Sequence, residues 1–180
     1  IHTSSTSTPS AVNTTNFPLK LPAGFSVSIY AKNLGDPRVM IYGPDGSLLV
    51  SVPDQGKVVS VRDINGDGYA ETISTVADNL KNPHGLATRC IDTTCKLYIA
   101  EEDQVAMYDY DNATHTAGNE IKIVDLPSGG RHVTRTLMFM PYPNDQRLLI
   151  SVGSSCDVCR ETAQRAMILS VNADGTDLKP

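Results

Sequence analysis

An all-β fold is predicted by three features of this 180-residue sequence: apolar runs of strand length, turn residues between them, and no helical periodicity. Its 13 glycines and 11 prolines suit a chain of short strands and many turns. No stretch has the apolar spacing of a long amphipathic helix, and only Glu161–Ala166 is compatible with a single helical turn.

The elements follow in order. Residues 1–20 form a Ser/Thr-rich leader with too few apolar side chains to bury, which predicts a flexible segment. With Ile1 in place of a methionine, it suits a mature exported protein, secreted to the extracellular space or the periplasm. One phrase then recurs three times, at Arg38–Ser51, Pro83–Glu101 and Arg135–Gly153. Each copy is an apolar run, a turn rich in Pro, Asp, Gly or Asn (Cys90–Cys95 in the second copy), and a second apolar run, which is a hairpin. A third strand-like phrase follows each hairpin, at Lys57–Asp63, Gln104–Asp111 and Arg165–Val171. A fourth closes the first two units, at Glu71–Val76 and Glu120–Val124. Four short strands at a period of roughly 45 to 50 residues are the pattern of propeller blades. Residues 21–180 therefore read as about three blades of one β-propeller domain, with the third unit reaching Pro180 before a fourth strand. Three blades do not close a ring, so the sequence is either one part of a longer chain or completes itself by pairing with another chain, and a remaining half of the propeller is expected as the partner.

The net charge of −5 and the lack of a basic stripe argue against nucleic acid as a partner. No apolar run approaches the roughly 18 residues of a membrane span. The four cysteines form two close pairs, Cys90/Cys95 and Cys156/Cys159. Zinc would need four ligands, and a thioredoxin-like site would need a βαβ context, so two structural disulfides in an oxidising compartment fit best. Asn13-Thr14-Thr15 and Asn112-Ala113-Thr114 match the glycosylation sequon. The acidic runs Glu101-Glu102-Asp103 and Asp109-Tyr110-Asp111 read as solvated faces.

In a propeller, the segments leading into the innermost strands ring one mouth of the channel. That places Asp36 and Arg38, His84, and Arg131, His132 and Arg135 around one axis. Imidazoles, guanidiniums and a carboxylate converging there suit an anionic ligand with many hydrogen bonds. A neutral histidine in such a place also suits general-base work near neutral pH. The other reading of the same residues is a set of polar caps between blades. A second candidate is the loop Asp63, Asn65, Asp67, Tyr69, Glu71, whose oxygen spacing suits a hard cation such as calcium. Ser74 stands where an EF-hand needs glutamate, and the same residues also make an Asn-Gly/Asp-Gly hairpin turn that needs no ion.

The phrases NPHGLA, GGRHVTRTLMF, LLISVGSSCDVC and RAMILSVNADGTDL resemble those of the soluble sugar dehydrogenases that use pyrroloquinoline quinone (PQQ). The nearest branch is the glucose/sorbosone dehydrogenase group with the fungal pyranose dehydrogenase domains. The resemblance runs from about Ala23 to Pro180 and is most specific in the third blade. It implies the amino-terminal half of a six-bladed propeller and oxidation of an aldose or pyranose sugar. It further implies His132 as the base that takes the hydroxyl proton while hydride passes to quinone carbon C5. Arg131, His132 and Arg135 would then lie beside the cofactor, with His84 and Arg131 beside the substrate. The glucose-specific branch has an acidic residue just before that histidine, where this sequence has Arg131. The cofactor-bridging calcium would lie in the other half, and a haem protein or another carrier would accept the electrons. The alternative is a non-catalytic propeller that binds a sugar or a protein. A lactonase-type hydrolase would need a carboxylate cluster in the channel, where only Asp36 is placed.

Overall fold

A computed structural model describes residue 15, residues 17–161 and residues 164–180. Most of the leader expected over residues 1–20, with Asn13 of the first sequon, lies outside the described residues. Among the described residues the chain forms three antiparallel sheets, each built in sequence order. The first holds β1 (Met40–Tyr42), β2 (Leu48–Val52), β3 (Lys57–Arg62) and β4 (Thr72–Ala77). The second holds β5 (Leu86–Ile91), β6 (Thr94–Ala100), β7 (Gln104–Asp111) and β8 (Thr116–Asp125). The third holds β9 (Arg135–Phe139), β10 (Arg147–Val152) and β11 (Met167–Asn172). These are the blades of a β-propeller fold, and their strands fall on the phrases that recur in the sequence.

Three details differ from the sequence expectation. After β11 the chain turns back, and Lys179 pairs with Ser170 through two backbone hydrogen bonds of 2.7 and 2.8 Å. The third blade thus begins its fourth position within this chain. At Glu161–Ala166, residues 162 and 163 lie outside the described residues and Gln164–Ala166 make a turn rather than a helix. The short helix that does form among the described residues is a 3-10 turn at Pro53–Gln55, where proline presets φ and Gly56 closes the turn at φ 57°.

Period-two alternation sends successive residues of each strand to opposite faces, and both faces of the middle blade are covered. One apolar cluster joins Leu49, Val58 and Val76 of the first blade to Leu97, Ile99 and Tyr108 of the second. Another joins Tyr98, Ala100 and Val105 of the second to Leu148, Ile150 and Leu169 of the third. There Tyr98 meets Phe139 edge-on, with ring centroids 4.9 Å apart. Val50, Val52, Val59 and Val61 of the first blade pack under Ala31 and Leu34 of the lead-in chain. The outer face of the third blade is open, with Met138 57% and Ile168 60% exposed.

The seam between blades one and two carries a polar clamp. The Asp45 carboxylate accepts hydrogen bonds from Ser47 Oγ (2.7 Å) and Tyr110 Oη (3.0 Å), and it contacts His115 Nδ1. Arg62 Nη1 donates to His115 Nε2 at 2.7 Å. A guanidinium only donates, so Nε2 is the acceptor and Nδ1 carries the proton that His115 gives to Asp45. Burial pushes the Asp45 carboxyl upward, but the bonds from Ser47, His115 and Tyr110 outweigh it and hold the carboxyl down at about 2.

The acidic runs are more engaged than solvated faces would be. Glu101 is buried, accepting the Lys81 backbone N–H and the Gln104 side-chain amide (2.6 Å). Glu102 accepts Asn82 Nδ2 (2.7 Å), and Asp103 pairs with Lys81 (2.8 Å). These acids tie the connection between β4 and β5 to the turn between β6 and β7. Tyr110 of the other run is also buried. Both expected disulfides are present, Cys90–Cys95 across the β5–β6 register and Cys156–Cys159 in the loop after β10.

A carboxyl held below its ordinary 3.8 contributes stability above that pH and loses it as pH falls toward about 2. Asp45→Asn should therefore lower the thermal midpoint at neutral pH and flatten the loss between pH 3.8 and about 2, measured by circular dichroism against the parent protein.

Candidate functional site

The segments leading into β1, β5 and β9 meet at one end of the three sheets and enclose an open cavity of about 260 Å³. Asp36 and Arg38 come from the first segment, Asn82 and His84 from the second, and Val133 and Thr134 from the third. Of the residues expected around one axis, Asp36, Arg38 and His84 line this cavity.

The first segment is braced by the 3-10 turn. Gly35 sits at φ +83°, and a Cβ there would lie 2.1 Å from Gln55 Nε2. The Asp36 N–H donates to Asp54 Oδ1 (3.4 Å) and the Arg38 N–H to Ser51 O (3.0 Å).

In the second segment the His84 N–H donates to Ala100 O (2.8 Å), while its ring Nδ1 lies 2.9 Å from Arg135 O. A carbonyl only accepts, so Nδ1 carries the proton and the neutral ring keeps its lone pair on Nε2. Burial lowers the pKa of His84 below the ordinary 6.5, the bond to Arg135 O works against that, and the nearby Arg38 charge lowers it further.

The third segment is built around Arg135. Its side chain is fully buried and donates to His132 O (3.0 Å), Thr134 O (3.0 Å) and Pro127 O (2.7 Å). Arg165 grips the same segment, donating to Gly129 O (3.0 Å) and Ser128 O (2.6 Å). The loop then lies on residues 153–157, with the Arg131 N–H donating to Ser155 O at 3.0 Å. A side chain at Gly153 would put its Cβ 2.5 Å from His132 O, so only glycine permits this approach.

On that loop His132 is exposed and its Nδ1 donates to Ser154 O (3.1 Å). Nε2 lies 3.5 Å from Asp157 Oδ1, and Arg131 Nη1 donates to Asp157 Oδ2 at 2.7 Å. The structure thus sorts the expected residues into three places. His84 lines the cavity, Arg131 and His132 stand on the adjoining rim with Asp157, and Arg135 lies beneath the loop instead of beside a ligand. The reason is strand parity, since Arg135 shares its face of β9 with buried Leu137. Asp157 and Arg165 were not singled out in the sequence. The Cys156–Cys159 spacing marks Asp157 as held in a small loop, but nothing local announces its partner 26 residues earlier.

The acidic loop lies between β3 and β4, at the end opposite the mouth. Asp63, Asp67 and Glu71 bring carboxylate oxygens within 4.8 Å of one another. Asp63 also accepts the Gly66 and Gly68 amides (2.7 and 2.8 Å), and Glu71 accepts that of Ile64 (2.8 Å). Asn65 spends its side chain on Asp67 N–H (2.8 Å) and Glu71 (2.6 Å), and Tyr69 donates its N–H to Asp67 Oδ1 (2.9 Å). The three carboxylates gather as the sequence suggested, while Asn65 and Tyr69 serve the turn.

The pattern of the TrAA12-like family matches residues 19–174, and the chain belongs to that family. Solved structures share the fold. The holo PQQ domain of a pyranose dehydrogenase from Coprinopsis cinerea is 23% identical with a TM-score of 0.67, over 78% of this chain and 34% of that one. An iodide structure of a Trichoderma reesei family AA12 carbohydrate-active enzyme is 25% identical with a TM-score of 0.64, over 82% of this chain and 38% of that one. The PQQ-bound aldose sugar dehydrogenase of Streptomyces coelicolor is 18% identical with a TM-score of 0.60, over 81% of this chain and 47% of that one. This chain thus spans less than half the length of each of these structures. No curated protein matches it.

A histidine whose pKa is lowered by folding costs stability once pH falls below its unfolded value. The thermal midpoint should decline as pH drops below 6.5, and His84→Asn, which keeps an N–H donor toward Arg135 O, should remove part of that decline in calorimetric scans.

Proposed function

We propose that this chain is part of a PQQ-dependent dehydrogenase of aldose or pyranose sugars. The observation that carries the reading is the mouth itself: three blade segments of a TrAA12-like chain enclose one cavity, with His84 in its wall and His132 on its rim. When bound, the quinone supplies a two-electron acceptor for the hydrogen on the sugar carbon. The residues at the rim suit an anionic cofactor, because Arg131 is exposed and uses one of its five N–H donors on Asp157. Arg135 supports the same site from below by fixing the carbonyls of the loop that bears His132.

His132 is the general base in this reading. Its Nδ1 is committed to Ser154 O, so Nε2 is the atom that accepts the proton of the sugar hydroxyl. Asp157 must give way to that hydroxyl, after which its carboxylate balances the imidazolium that forms. His84 holds the substrate through its own Nε2, with its ring fixed against Arg135 O. A calcium separate from the cofactor-bridging one also belongs to this reading, and Asp63, Asp67 and Glu71 are the carboxylates that would hold it, remote from the chemistry. The two disulfides fit an exported protein that passes electrons to a haem protein or another carrier. Its remaining blades would complete the propeller. The second reading, a sugar- or protein-binding propeller without turnover, is favoured by the pairing of Arg131 and the burial of Arg135.

The full-length protein with PQQ and calcium should reduce an electron-accepting dye with at least one aldose or pyranose. His132→Ala should lower that rate at least about a hundred-fold while leaving the cofactor absorbance in place. No dye reduction with any sugar, together with no absorbance change on adding PQQ, would sink the reading.

A further inference from the structure

The mouth holds two opposite charges without internal partners. Among the described residues, neither the Asp36 carboxylate nor the Arg38 guanidinium makes a hydrogen bond or ion pair, although both line the cavity. Exposed charges of opposite sign two residues apart attract each other only weakly in solvent. Here Pro37 fixes φ between them, and the segment is pinned through Asp54, Ser51 and the tight fit of Gly35 against Gln55. The backbone that bears the pair is therefore held, and the two side chains do not neutralise each other.

The rest of the wall sharpens the ligand. Asn82 Nδ2 is engaged with Glu102 (2.7 Å) and His84 Nδ1 with Arg135 O (2.9 Å). What faces the cavity then includes a carboxylate that only accepts, a guanidinium that only donates and the His84 Nε2 acceptor, beside the Thr134 hydroxyl and Asn82 Oδ1. Each hydroxyl of a sugar both donates and accepts, so a polyol satisfies all three. A uronate would meet Asp36 with like charge, and an amino sugar would meet Arg38 with like charge.

We propose that Asp36 and Arg38 form a specificity subsite that selects neutral sugars, the carboxylate accepting from one hydroxyl and the guanidinium donating to another. This rests on the sugar-oxidising reading above. Each charge repels one class of charged sugar and attracts the other, so removing one of them relaxes one discrimination and strengthens the other.

The test uses the full-length protein with PQQ and calcium, and three probes of one configuration: D-galactose, D-galacturonate and D-galactosamine. Dye reduction gives KM and kcat, and calorimetry gives sugar affinity whether or not turnover occurs. The parent should favour the neutral sugar by about ten-fold over each charged one. Asp36→Asn should narrow the gap to the uronate and widen that to the amino sugar, and Arg38→Gln should do the reverse. In both variants the loss for the neutral sugar should fall on KM more than on kcat. Unchanged preferences in the variants, or no binding of any probe by the parent, would overturn the subsite. So would a loss of PQQ affinity in Arg38→Gln with sugar affinity intact, since Arg38 would then serve the cofactor. Sugar binding with the expected shifts but no dye reduction would fail the oxidation alone and leave the subsite standing.

Discussion

The mouth of this molecule depends on one buried guanidinium. Arg135 is removed from solvent, yet among the described residues no carboxylate pairs with it, and its charge is answered by three backbone carbonyls at residues 127, 132 and 134. Those bonds close the loop carrying Arg131 and His132 into one shape. The backbone carbonyl of Arg135 in turn receives the ring of His84 from the neighbouring blade. One residue thus fixes the third segment internally and ties it to the second. Replacing its side chain would leave three carbonyls without their donors, while the backbone carbonyl that receives the His84 ring would remain.

Blade packing sets the frame in which Arg135 works. The middle sheet is apolar on both faces because it is sandwiched, and that forces the three innermost strands to present their lead-in segments at a common end. The polar seam of Asp45, His115, Arg62 and Tyr110 lies at the opposite end. Apolar packing between sheets sets their spacing, and the directional bonds at either end fix register. The chemistry can then sit on loops while the scaffold beneath stays rigid.

Much of this was legible in the sequence. The repeated hairpin phrases located the strands because turn chemistry and apolar runs are local signals, and the period of the repeat gave the blades. The same repeat brought Asp36, Arg38 and His84 to one cavity. Local signals failed where orientation decided the outcome. Arg135 looked like a third cation for a ligand, although its alternation with Leu137 on β9 already placed it on the buried face. Glu101 looked solvated, but burial under the Lys81 amide depends on a neighbour 20 residues away. The Asp45–His115 contact spans 70 residues, and the pairing of Asp157 with Arg131 spans 26. Such pairings exist only once the blades have packed.

The claim that Arg135 holds the mouth together is tested most directly by hydrogen exchange at the Arg131 amide, which donates to Ser155 O. In an Arg135→Met variant of the full-length protein, that amide should exchange at least about ten-fold faster, while the β10 amides keep their protection. Equal exchange at Arg131 in the parent and the variant would contradict the account, because the loop would then hold its shape without the guanidinium.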